Sequence, residues 1–280
     1  MFGAPLGGGT ATKLNDTLVG EGNVAPGFLF SPDSTLVVYR ADKETDEVIE
    51  LFSVPVGGGT STKLNDTLAD GGDVAINAPF TVDDRVFHVS PDSGRVVYLA
   101  DQDTEDVLEL FSVPIDGGGS TKLNGTLVEG GEVDFQRKRI SPDGTRVVYR
   151  ADQNAFRVPE LFSVPIAGGT ATQLNEALAF GGAVTYFVFT PDSSRVVYRA
   201  NQDTAGVLEL YSAPTTGGPS TKHSGPITAL GDEVSHALIT PDGQYSVYRA
   251  DHDIDDVFEL YRVNLATREK DEAERSSRFG

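Results

Sequence analysis

Ser31-Pro32-Asp33-Ser34-Thr35-Leu36-Val37-Val38-Tyr39 is the stretch from which the architecture follows, because it occurs five times with small changes. The counterparts begin at Ser90, Ser141, Thr190 and Thr240. The prolines stand at Pro32, Pro91, Pro142, Pro191 and Pro241, at steps of 59, 51, 49 and 50 residues. Within each copy proline pre-sets φ at the corner of a turn, and aspartate can bond back to the backbone. The β-branched residues and tyrosine that follow suit a buried strand. A period in this range with several short strands per unit is the mark of a β-propeller blade.

Outward from the turn, the first copy reads as four strands. Residues 24–30 precede the turn, and residues 36–39 follow it. A charged loop at 42–47 leads to a third strand at 48–54 (VIELFSV). Gly57-Gly58-Gly59 makes a permissive turn, and residues 62–64 form a short fourth strand. The later copies keep this order, and no sustained 3.6-residue apolar period appears before the C-terminal tail. The second copy is longer by about nine residues. Thr81-Val82-Asp83-Asp84 there resembles a degenerate turn, which predicts a loop insertion on one face or a lip shaping a binding surface.

The ends of the chain are complementary. Residues 2–9 parallel 52–59, and 12–15 parallel 62–65, whereas the last matching piece is the third strand at 258–263. The expectation is an all-β fold, a β-propeller of four-stranded antiparallel blades, five-bladed, with the last blade closed by the N-terminal strand at 12–14. Such closure would hide two sheet edges. Residues 2–6 then duplicate a third strand, which leaves open a piece of a longer array with six or more blades. Residues 1–264 are expected as one propeller domain and 265–280 as a charged tail or linker stub.

Composition narrows the function classes. The formal net charge of -20, from 42 acidic and 22 basic side chains, argues against binding nucleic acid over a broad face. No cysteine is present, so thiolate and disulfide chemistry are excluded. The four histidines show no zinc-ligand spacing. No run reaches the roughly 18 apolar residues that predict a membrane span. The first ten residues lack the basic and apolar regions of a secretory leader, and the compartment stays open.

Candidate chemistry is sparse. Asp101 and Asp103, and Asp251, Asp253 and Asp255, alternate in loops between second and third strands, a pattern weakly suited to calcium. EF-hand spacing is not met, and solvated hairpin tips explain these residues better. The Ser/Thr-Pro-Asp hydroxyls read as turn caps rather than nucleophiles, since most copies have no histidine nearby. Arg40, Arg150, Arg199 and Arg249 follow the repeated tyrosines and are expected to be structural. Glu50, Glu109, Glu160, Glu209 and Glu259 are their plausible partners. Five-fold recurrence points to folding. The residues that break the repeat are better guides to function: Arg137, Lys138 and Arg139, with Tyr186 and His236, in first strands expected to line a propeller axis. They are the candidates for a binding site at the channel mouth.

The blade resembles the TolB-like propeller repeats, a WD40-like (PD40-type) group with an F-S-P-D-G core. It stands here as FSPDS at 30–34, VSPDS at 89–93, ISPDG at 140–144, FTPDS at 189–193 and ITPDG at 239–243. The resemblance covers the chain to about residue 263. It implies a periplasmic or extracellular protein-binding module, or the propeller beside a peptidase domain, possible parts of a longer multidomain chain. No G-x-S-x-G elbow is present. The expected function is therefore a non-catalytic interaction or scaffold module whose partner is another protein or peptide, with no cofactor. The alternative is a small-ligand-binding, glycan-binding or hydrolytic propeller.

Overall fold

The computed structural model describes residues 1–3, 9–74, 86–225, 234–251, 257–267 and 270–271, apart from the side chains of residues 2, 135–138, 270 and 271. The second-copy insertion at 79–84 lies outside these. Two short strands open the chain, β1 (Phe2–Gly3) and β2 (Thr12–Lys13). Five four-stranded antiparallel sheets follow. Sheet I holds β3 (Val24–Phe30), β4 (Leu36–Ala41), β5 (Glu50–Pro55) and β6 (Thr62–Lys63). Sheet II holds β7 (Phe87–Val89), β8 (Arg95–Ala100), β9 (Glu109–Pro114) and β10 (Thr121–Lys122). Sheet III holds β11 (Val133–Ile140), β12 (Arg146–Ala151), β13 (Glu160–Pro165) and β14 (Thr172–Gln173). Sheet IV holds β15 (Val184–Phe189), β16 (Arg195–Ala200), β17 (Glu209–Pro214) and β18 (Thr221–Lys222). Sheet V holds β19 (Val234–Ile239), β20 (Tyr245–Ala250), β21 (Glu259–Asn264) and β22 (Lys270–Asp271).

The repeated turn works as its residues predict. Ser31 Oγ donates to Asp33 at 2.5 Å and accepts the Leu36 amide at 2.9 Å, while Asp33 accepts the Thr35 amide at 3.0 Å. The same bonds recur at Ser90, Ser141, Thr190 and Thr240. They hold Asp33, Asp92, Asp192 and Asp242 below the ordinary carboxylate range, with the Ser or Thr hydroxyl contributing most. Ser34, Ser93 and Ser193 take left-handed φ values of 60–61° within it.

Alternation along the strands gives each sheet two apolar faces. Val37, Tyr39, Phe52 and Val54 cluster with Leu14 on the side toward the chain start. Val38, Leu51 and Leu64 cluster with residues of sheet II. Val148, Leu161 and Leu174 meet sheet IV in the same way, and Val197 and Leu210 meet sheet V. Each internal sheet thus has a back face against its predecessor and a forward face against its successor. On the back face each repeated tyrosine stacks on the aromatic residue opposite it, with ring centroids 5.5–5.7 Å apart. Three of these hydroxyls, on Tyr98, Tyr149 and Tyr198, donate to Gln102, Gln153 and Gln202. In sheets I–III the asparagine after the short fourth strand accepts a third-strand amide, as Asn124 does from Leu110 at 2.7 Å, and in sheet IV Ser224 accepts that of Leu210.

The expected closure is corrected. Thr12–Lys13 does not complete the last sheet: it pairs with Phe2–Gly3, in the same register as β6 on β5. Sheet V carries its own fourth strand, β22, opposite Arg262 and Val263. The cause is a local turn, in which the Asn264 side chain accepts the amides of Ala266 and Thr267 and reverses the chain. The N-terminal pair therefore corresponds to the outer half of a repeat that precedes sheet I.

One glycine after the third strand of each of sheets I–IV fixes how closely the neighbouring strands approach. Gly168 has φ +99°, and a Cβ there would sit 2.5 Å from Thr121 Cγ2 of the preceding sheet. Gly117 against Thr62 and Gly217 against Thr172 are equivalent. Gly168→Ala is expected to cost about 1–3 kcal/mol in urea unfolding. Gly119→Ala, which meets nothing within 4 Å, should change stability by less than about 0.5 kcal/mol. Equal losses at the two positions would refute the close approach.

Candidate functional site

The arginines that follow the tyrosines tie one sheet to the next. Arg40 sits opposite Leu51, on the forward face. Its Nη1 donates to the Val74 carbonyl at 3.0 Å. Arg199 does the same to Val234 at 2.7 Å, and Arg150 to Val184. The expected pairing of these arginines with the repeated glutamates is corrected. Glu50, Glu109 and Glu209 instead take the fourth-strand lysines Lys63, Lys122 and Lys222. The reason is strand geometry: each lysine lies across from the residue two places after its glutamate, on the same face. Arg150 does meet an acid, Asp134 of its own sheet.

Of the five binding candidates, two are brought together. A register irregularity between Val184 and Tyr186 sets Tyr186 opposite Arg199, and the same irregularity in β19 sets His236 opposite Arg249. The rings of Tyr186 and His236, on neighbouring sheets, are 6.4 Å apart between centroids and tilted by 38°. Tyr186 is half-buried and His236 exposed. Arg199 passes beside them, its guanidinium carbon 5.9 Å from the Tyr186 ring centroid, and it also donates to the Ser235 carbonyl. Arg139 is exposed on sheet III, opposite Val148. The side chains of Arg137 and Lys138 lie outside the described residues.

The acidic loop positions are engaged by protein donors where they are described. Asp101 accepts the Asp73 amide, and Asp103 accepts Lys122 Nζ at 3.1 Å. Asp251 is buried, and Asp253 and Asp255 lie outside the described residues. Among the described residues no group of three His, Asp or Glu is placed to hold a metal.

Two features escaped the sequence reading. Ser212 Oγ and His223 Nε2 are 2.8 Å apart. Both are buried, and Arg195 Nε also donates to Ser212 Oγ at 3.0 Å. Arg95 and Arg146 hold Ser112 and Ser163 in the same way, so the histidine joins a structural bond in the core. Its signal was the break from Leu64, Leu123 and Leu174 to His223 at one repeat position. The second is a cavity of about 610 Å³ where residues 124–131 cross between sheets II and III. Glu109 and Lys122 line it, and the Glu109–Lys122 pair recurs in sheets I and IV.

No protein-family model and no curated protein matches this chain. Solved structures do. A dipeptidyl aminopeptidase IV from Bacteroides ovatus, named as putative, aligns with TM-score 0.55 and 13% identity, over 87% of this chain and 39% of its own. An oligogalacturonate lyase in complex with manganese aligns with TM-score 0.53 and 14% identity, over 89% of this chain and 66% of its own. A TolB from Agrobacterium tumefaciens, also named as putative, aligns with TM-score 0.44 and 17% identity, over 86% and 76%. The chain shares a propeller-like fold with proteins of unrelated activities, and it spans well under half of the aminopeptidase. No helix among the described residues is long and apolar enough to cross a membrane.

Proposed function

We propose that the chain is a ligand-binding propeller whose site lies where Tyr186 and His236 meet on adjacent first strands. The observation that carries this reading is their 6.4 Å approach at a repeat position that holds five different residues: Gly27, Val86, Arg137, Tyr186 and His236 occupy it in turn. Uniform positions in a repeat serve folding, whereas a site needs different groups with different tasks. A half-buried aromatic face beside an exposed imidazole and a fixed guanidinium suits a polar ligand with a flat apolar side, and an oligosaccharide has that chemistry. The likeness in fold to a lyase named for an oligogalacturonate supports a carbohydrate ahead of other small ligands. We assign binding and no catalytic step.

Titration of the protein with neutral and uronic-acid oligosaccharides, followed by calorimetry, tests this. Binding by at least one is expected, weakened about tenfold or more by Tyr186→Ala and by His236→Ala. No binding across the panel, or binding indifferent to both substitutions, removes the reading. A scaffold role remains the second reading, because sheet V leaves Leu238 and Leu260 exposed at 57% and 64%.

A further inference from the structure

The forward face that every internal sheet buries is open on the last one. Leu51, Leu110, Leu161 and Leu210 are all 0% exposed, whereas Leu260 at the same position is 64% exposed. Val247 is likewise only partly covered, while Val38, Val97, Val148 and Val197 are fully buried. On the back face of sheet I only the β3 part is open, since Val37, Tyr39, Phe52 and Val54 of that face are buried against Leu14. Phe28 and Phe30 are 50% and 56% exposed, against 2% and 7% for Phe187 and Phe189 at the equivalent positions. These exposed residues belong to the two halves of the contact that this chain already makes between successive sheets.

We infer that a second copy of this chain docks head-to-tail, the forward face of sheet V in one copy seating on the back face of sheet I in the other. The repeated contact supplies its details. In each junction the first residue of the incoming first strand donates its amide to the preceding sheet, as Val234 does to Leu208 at 2.8 Å and Val184 to Pro159 at 3.0 Å. The corresponding pair across two copies is Val24 and Phe258. Where Arg40, Arg150 and Arg199 reach the next sheet's backbone, Arg249 turns back to Ser235 Oγ at 2.9 Å and lies 3.6 Å from the centroid of Phe258. A docked copy offers it the Val24 carbonyl. The N-terminal segment covers the outer part of the sheet I seat, Leu14 packing on Val37, Tyr39, Phe52 and Val54 and Asp16 pairing with Lys43, and docking requires it to give way to β21 and β22 of the incoming copy. The contact is heterologous, so it extends beyond a dimer unless it closes.

Sedimentation velocity at about 0.15 M salt, where repulsion between acidic copies is screened, reads this out over a wide concentration range. Wild type is expected to form dimers and larger species as concentration rises. Leu260→Asp removes one half of the contact and Phe28→Asp the other, and each alone should weaken association about 30-fold or more. Both residues are exposed, so neither change opens a core cavity. An equimolar mixture of the two variants retains one intact pair of faces and should form a one-to-one dimer and nothing larger. That result also proves both variants folded. Wild type that stays monomeric, including through closure of one chain on itself, overturns the inference. So does association that both substitutions leave unchanged.

Discussion

Above pH 10 the fold is expected to lose stability steeply and to unfold well before pH 12. Tyr39, Tyr98, Tyr149, Tyr198, Tyr211 and Tyr248 are all at most 1% exposed. Burial is the leading cause that holds each phenol above its usual value of 10. A phenol whose folded pKa exceeds its unfolded one gives stability that is fully present below pH 10 and is lost as pH climbs toward the folded value. Each group then removes about 1.4 kcal/mol per pH unit. Several acting together exceed the roughly 5–15 kcal/mol that a folded domain has to lose. Lys63, Lys122 and Lys222 act in the same direction. Burial alone would lower them, but hydrogen bonds to Glu50, Glu109 and Glu209 outweigh it and raise them. That contribution too is complete below 10.5 and fades above it. Tyrosinate absorbance and far-UV circular dichroism should therefore change together over one pH interval for these buried tyrosines. Complete tyrosine ionisation with the β signal retained would show that the stacked rings are accessible.

The repeated turn, the four strands per unit and their order were legible because each rests on local chemistry. A proline, an aspartate and a run of β-branched residues need no distant partner to declare themselves. What was not legible depends on a neighbouring sheet. Glu50 and its equivalents were the expected partners of Arg40 and its equivalents. The strand geometry sends Arg40 to the Val74 carbonyl of the next sheet. The third strands begin at glutamate, because the preceding loop turns through left-handed residues such as Glu47 at φ +62° and Asp106 at φ +58°. The last sheet closes on itself through Asn264 and a Lys-Asp dipeptide that carries no strand signal. For the candidate site, divergence among copies singled out Tyr186 and His236, but their approach is a contact between sheets, which no spacing along the chain encodes.

The same leucine at five equivalent positions offers a stability measurement with a built-in control. Leu110 is fully buried between β9 and the sheet that follows, in the largest apolar cluster. Leu110→Ala loses the transfer energy of the removed carbons and leaves a cavity in a layer whose spacing Gly168 and Thr121 fix. A cost of about 2–5 kcal/mol is expected. Leu260→Ala removes the same atoms from a side chain 64% exposed, and in dilute protein it should cost less than about 0.5 kcal/mol. Urea unfolding of both variants at low concentration decides between a stack with a free final face and a ring closed within one chain. The stack predicts the large difference. The closed ring predicts a loss at Leu260 close to that at Leu110, and with it the head-to-tail contact would have no surface to use.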